Sequence, residues 1–148
     1  MTEQQPTINI VGVGTSHSLD QVGIDIAHHI QQHNTNLNYI AQYIYVDSPI
    51  NQLASINFQR PTFFIDGLIT KNNNKPIIKL HLSQIINDFH GISSHHIGLI
   101  QTLQLYQSLG QLTDGVVVLY GISIETSQPI DKIAQQILQD INDTVSLG

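Results

Sequence analysis

Few residue types in this 148-residue chain can do chemistry, and the ones that can stand at telling places. The chain has no cysteine, so a thiol nucleophile, a disulfide framework and a zinc-thiolate site are all excluded. Histidine and aspartate remain. The densest stretch is Ser93-Ser94-His95-His96-Ile97-Gly98-Leu99, where two histidines meet the start of an apolar-periodic segment. Ser93 or Ser94 suits an N-cap, whose hydroxyl accepts from an orphan backbone N–H. Ile97, Leu99, Ile100, Leu103, Leu105, Tyr106 and Leu109 follow in mixed three-and-four spacing, and Gly110 marks a stop. A histidine opening such a helix can act as general base or metal ligand. Asp20 and Asp66 stand at comparable boundaries. Two carboxylates and one imidazole make a three-ligand set for a divalent ion, with positions open to water or substrate.

The elements that must position these residues follow from the apolar pattern. Thr7 to Gly14 reads as a buried strand ending in a glycine turn. Asp20 then opens a helix whose apolar positions are Val22, Ile24, Ile26, Ala27 and Ile30, closing near His33. Asn38 to Val46 is the second strand, broken by Asp47-Ser48-Pro49. Ile50 to Asn57 suits a short helix. Thr62 to Ile65 is a third strand leading directly into Asp66-Gly67. Pro76 to Leu82 suits an edge strand, and the segment from His81 to Phe89 fits either class. The His95 helix, a strand from Gly115 to Tyr120 ending at Gly121, and a helix from Pro129 to Ile141 complete the chain. Strands alternating with helices predict an α/β fold, a three-layer sandwich around a mostly parallel twisted sheet, formed by residues 1–148 as one domain. Such sheets place their sites beyond the carboxyl ends of the strands. Asp20 and Asp66 then share one edge, and His95 joins them if its helix starts there. An N-cap for Asp20, a turn for Asp66 and a solvated helix start for His95 are the alternatives that the same spacing leaves open.

Composition narrows the function classes. The net charge of −6, with five basic residues, argues against nucleic acid and anionic membranes. No apolar run reaches the roughly 18 residues of a membrane span, and residues 1–6 lack the pattern of a signal peptide. A cytoplasmic monomer is the expectation. Asn and Gln stand where charges are usual, but apolar positions interleave throughout, as in a folded domain. Gly12 and Gly14 begin a dinucleotide fingerprint whose third glycine falls on His17, so that reading fails. There is no Gly-x-Ser-x-Gly elbow. His28, His29 and His33 lie along the first helix, where a histidine face could bind metal or simply meet solvent. His17 and His96 suit an outer shell that orients ligands.

The same segments, in order, resemble the hydrogenase maturation endopeptidases, which trim the C-terminus of the nickel-iron hydrogenase large subunit after nickel insertion. Gly12-Val13-Gly14-Thr15 followed by Leu19-Asp20-Gln21-Val22-Gly23 matches the first motif. Phe63-Phe64-Ile65-Asp66 matches the second, a strand ending in aspartate. Ser93-Ser94-His95-His96-Ile97-Gly98-Leu99 matches Ser-x-His-x-x-Gly-Leu, and Val118-Leu119-Tyr120-Gly121-Ile122-Ser123-Ile124-Glu125 matches the closing strand. The resemblance covers nearly the whole chain.

The resemblance implies an aspartic-type endopeptidase acting on a hydrogenase large-subunit precursor. Asp20, Asp66 and His95 would engage nickel that the substrate supplies and that the free enzyme does not retain. The chain departs from the pattern at Thr15 (usually Asn), at Gln21 (usually Gly), at Gly67 (commonly Ala), in a first loop one residue short, and at Asp47-Ser48-Pro49, where an Asp-Gly-Gly/Thr loop is usual. Those departures leave a second reading beside the first: a metal- or precursor-binding module derived from the family that no longer hydrolyses.

Overall fold

The computed structural model describes residues 5–14, 21–47, 49–68, 75–87, 96–112, 116–123 and 128–147. Five strands form one sheet: β1 (Thr7–Val13), β2 (Ile40–Val46), β3 (Thr62–Leu68), β4 (Ile77–His81) and β5 (Val117–Ser123). Their order is β2-β1-β3-β5-β4. All neighbours are parallel except β4, which runs antiparallel to β5 at an edge. Helices α1 (Val22–His33) and α5 (Ile130–Leu147) cover one face, while α2 (Pro49–Gln52), α3 (Leu82–Asn87) and α4 (His96–Ser108) accompany the other. The expected three-layer α/β sandwich is the observed one.

Strand alternation divides the core between these layers. Ile8 and Ile10 of β1, Phe63 and Ile65 of β3, and Val118, Tyr120 and Ile122 of β5 join Ile26, Ala27 and Ile30 of α1 and Ile133, Ala134, Ile137 and Ile141 of α5. Val11, Val13, Phe64, Val117 and Leu119 point the other way, toward Leu53, Leu82, Ile85, Leu99 and Leu103. Each fully buried aliphatic side chain contributes roughly 1.5–3 kcal/mol.

The helix ends have local causes. His81 precedes α3, and its backbone N–H donates to Gln84 Oε1 at 2.9 Å, half of a capping box. Leu82 and Ile85, three apart, are buried, and the ambiguous segment is helical over Leu82–Asn87, while His81 ends β4 and residues 88 and 89 lie outside the described residues. At the far end of α4, Gly110 takes φ +74°, with Gly110 N–H donating to the Gln107 carbonyl at 3.0 Å and Gln111 N–H to Tyr106 at 2.9 Å. That is a Schellman stop, and a left-handed residue there favours glycine.

The structure moves several boundaries. Asp66 and Gly67 lie inside β3, and Gly121 lies inside β5, because the ladder pairs Asp66 with Gly121 and continues to Leu68 with Ser123. Pairing on a buried sheet overrides the weak strand preference of these residues. Gly12 likewise belongs to β1 and forms no turn. α5 runs six residues beyond Ile141, held by Val145 against the core and by Tyr39, whose hydroxyl donates to Asn142 Oδ1 at 2.6 Å.

Candidate active site

β1 is flanked by β2 on one side and β3 on the other, and the chain passes from the α1 face to the α2 face between them. The topological switch therefore lies at the carboxyl ends of β1 and β3, where an open α/β sheet forms its crevice. Asp66 sits there, fifth residue of β3 and 1% exposed. Alternation places it on the same face as Thr62 and Phe64, toward the layer of α2, α3 and α4. Its neighbour across the ladder, Gly121, carries no side chain. Ser123, also buried, follows two residues on along β5 and shares that face. It falls within a quoted sequence motif, but nothing in the spacing marked it as part of this wall.

α1 lies on the opposite face, yet its first turn reaches over the strand ends. A Cβ on Gly23 would stand 2.2 Å from the Ile65 carbonyl oxygen and 2.6 Å from that of Val13. Only glycine allows this approach. The helix start is thus pressed onto the backbone beside Asp66. Gly12 makes the matching allowance from β1, where a Cβ would come within 2.9 Å of Ala27 Cβ and 3.0 Å of the Gly23 carbonyl oxygen. The two glycines serve helix-on-strand packing, and this replaces the glycine-turn reading of Gly12. Their signal in the sequence was a glycine within a strand and another within a helix's first turn.

α4 approaches from its own layer. Its last turns, at Tyr106 and Leu109, share a groove with Asn57, Phe58 and Val116, which precede β3 and β5. The helix therefore ends at the amino edge of the sheet. Thirteen residues span about 20 Å, the length of a seven-residue strand. The helix thus runs back along the sheet, with its first residue, His96, toward the carboxyl edge. α2, which follows the carboxyl end of β2, packs on it.

Of the candidate residues, Asp66 is placed directly. Asp20 and His95 lie outside the described residues, as does His17. Of the described segments next to them, the start of α1 is pressed onto Ile65 near the end of β3, and α4 runs back along the sheet from the amino edge. Among the described residues no three His, Asp or Glu side chains gather as a metal site. At the end of β2, Val46 accepts from Gly14 N–H at 3.0 Å, and Asp47 N–H donates to Gln52 Oε1 at 2.8 Å. Pro49, expected as a breaker, opens α2, the position where its missing N–H costs nothing.

No protein family matches the chain, and no curated protein matches it by sequence. Solved structures do. The chain is similar to an endopeptidase from Escherichia coli, with a TM-score of 0.70 and 17% identity over 94% of this chain and 91% of that one. It is similar to a hydrogenase maturating endopeptidase from E. coli at TM-score 0.58 and 18% identity, covering 91% and 89%. A [NiFe] hydrogenase maturation protease from Thermococcus kodakarensis superposes at TM-score 0.56 and 16% identity, covering 95% and 92%. The chain has the fold of the hydrogenase maturation endopeptidases, at low sequence identity.

Proposed function

We propose that this protein is an endopeptidase of hydrogenase maturation, which removes the C-terminal extension of a nickel-iron hydrogenase large-subunit precursor. The observation that carries this reading is Asp66, a buried carboxyl at the topological switch of a sheet shared with such proteases. Supporting it, Gly23 brings the helix start that follows Asp20 against the backbone of Ile65, and α4 brings the segment that follows His95 toward the same edge.

In this reading Asp20, Asp66 and His95 engage nickel held by the precursor, and the metal serves as a template that places the scissile bond. Either the substrate's nickel or one of the carboxylates would assist the attack: water gives up a proton, its oxygen bonds to the peptide carbonyl carbon, and the C–N bond then breaks with a proton passing to the leaving amine. No cysteine or serine elbow is available as a nucleophile, so water attacks directly. His96 and His17 orient the ligands from outside.

The test mixes the purified protein with nickel-loaded and nickel-free precursor and follows the C-terminal fragment by mass spectrometry. Cleavage of the nickel-loaded precursor alone is expected. Efficient cleavage without nickel would contradict the metal-recognition mechanism, and tight nickel-dependent binding without cleavage would favour the non-hydrolysing module.

A further inference from the structure

The groove between α1 and α5 holds two histidines that the site above does not use. His29 and His33 are four residues apart, so they share one face of α1. Their rings stack with centroids 4.1 Å apart and planes 16° from parallel. His33 Nδ1 lies 2.9 Å from the His29 carbonyl oxygen. A carbonyl can only accept, so Nδ1 carries a proton in this bond, which leaves Nε2 of the neutral ring as the atom that can ligate. Fixing an imidazole through its other nitrogen in this way is how metal-ligating histidines are oriented. Across the groove, Gln135 of α5 lines the same space as both rings, with Ala134 and Leu138 as its apolar floor. His28 stands apart, stacked on Tyr45 of β2 at 4.1 Å.

We propose that His29 and His33 chelate a borderline divalent cation of the Zn²⁺, Ni²⁺ and Cu²⁺ class, with Gln135 Oε1 and water completing the shell. Two imidazoles and an amide oxygen favour such ions over Mg²⁺ and Ca²⁺, which take oxygen ligands throughout. In the stacked arrangement the two lone pairs lie in nearly parallel planes and do not converge. The His29 ring turns about its Cβ–Cγ bond, a broad torsion, while the hydrogen bond to the backbone holds His33. The bound ion then ties α1 to α5 and stabilises the fold by linkage. This position is on the α1/α5 layer, whereas Asp66 faces the α2–α4 layer, so the site is separate from the one proposed for the precursor's nickel.

The experiment titrates ZnCl₂ into the purified chain by calorimetry, with MgCl₂ as the comparison, and repeats the thermal unfolding with each salt. Zinc is expected to bind and to raise the unfolding midpoint, and magnesium to do neither. His29→Asn and His33→Asn should each weaken zinc binding by at least about tenfold. His33 is exposed and His29 half-buried, and asparagine leaves a polar side chain at each, so these variants keep the fold. Asp66→Asn and His95→Ala should leave the affinity in place, and Gln135→Ala should reduce the rise in midpoint. Absence of zinc binding by the wild type would overturn the proposal. So would zinc binding of wild-type affinity in a His29→Asn/His33→Asn variant that also carries Asp66→Asn, or binding that disappears in Asp66→Asn or His95→Ala alone.

Discussion

The two helical layers of this molecule are built differently. The α1/α5 layer has two amphipathic helices sewn to the sheet by side chains. Lys79 of β4 makes a 2.8 Å ion pair with Asp140 of α5 and donates to Thr144 at 3.3 Å. The Tyr120 hydroxyl of β5 donates to the same Asp140 carboxylate. Asn34 Nδ2, just past α1, donates to the hydroxyls of Tyr39 at 3.2 Å and Tyr43 at 3.0 Å. The α2–α4 layer has two short helices, α2 and α3, beside the longer α4, a groove of about 850 Å³ at the amino edge, and exposed apolar side chains in Leu105 and Leu109. That looser layer is the one that Asp66 faces. Under the proposed function, stability is carried chiefly by one face and chemistry by the other. The Gly12–Gly23 approach is where the α1/α5 layer reaches over the strand ends beside Asp66.

The strongest attack on this contrast is at Gly23. Gly23→Ala puts a Cβ against two backbone carbonyl oxygens, which cannot move aside as a side-chain tip would. We expect a loss of about 3 kcal/mol, the upper end of overpacking costs, read from urea unfolding, together with impaired precursor cleavage. A loss under about 0.5 kcal/mol would show that α1 does not depend on this contact. Gly12→Ala meets the Ala27 methyl group at 2.9 Å, and a smaller cost of about 1–2 kcal/mol is expected.

The sequence made the layers legible because burial repeats with the period of each element. Ile133, Ile137 and Ile141 mark the inner stripe of α5, and Ile26, Ala27 and Ile30 that of α1. Asp66 was legible as a polar residue terminating an apolar run. What the sequence did not show was pairing. The extension of β3 through Asp66 and Gly67 depends on β5, more than fifty residues later in the chain. The reason for Gly12 and Gly23 is likewise a contact between elements. The polar stitches of Lys79, Tyr120 and Asp140 also join distant segments and leave no local motif.

Those stitches supply the next predictions. Tyr120→Phe removes a hydrogen bond to a charged acceptor and should cost about 1.5–2 kcal/mol, with precursor cleavage unchanged. Burial first, then the hydrogen bond to Asp140 and its negative charge, push the Tyr120 phenol far up, so it donates throughout the accessible pH range. Desolvation opposes ionisation of Asp140. The hydrogen bonds from Lys79 and Tyr120, with the charges of Lys79 and His81, outweigh it and hold the carboxyl below its usual value. A depressed folded pKa contributes stability above the unfolded value of about 3.9, which is lost as pH falls through the folded one. The difference in unfolding midpoint between wild type and Asp140→Asn should therefore be largest near neutral pH and shrink below about pH 4. A difference that grows in acid would contradict the stitch. The smallest effect is expected at Leu109→Ser, within about 0.5 kcal/mol as for exposed positions.

The central claim is that Asp66 serves chemistry on the α4-facing side of the carboxyl edge. Its most direct test is Asp66→Asn, which keeps the shape of the side chain and removes its charge. Precursor cleavage is followed by release of the C-terminal fragment, beside circular dichroism and thermal unfolding of the same preparation. The account predicts a cooperatively folded protein whose cleavage rate falls by about 10²-fold or more. A folded Asp66→Asn variant that processes the precursor at the wild-type rate would contradict it.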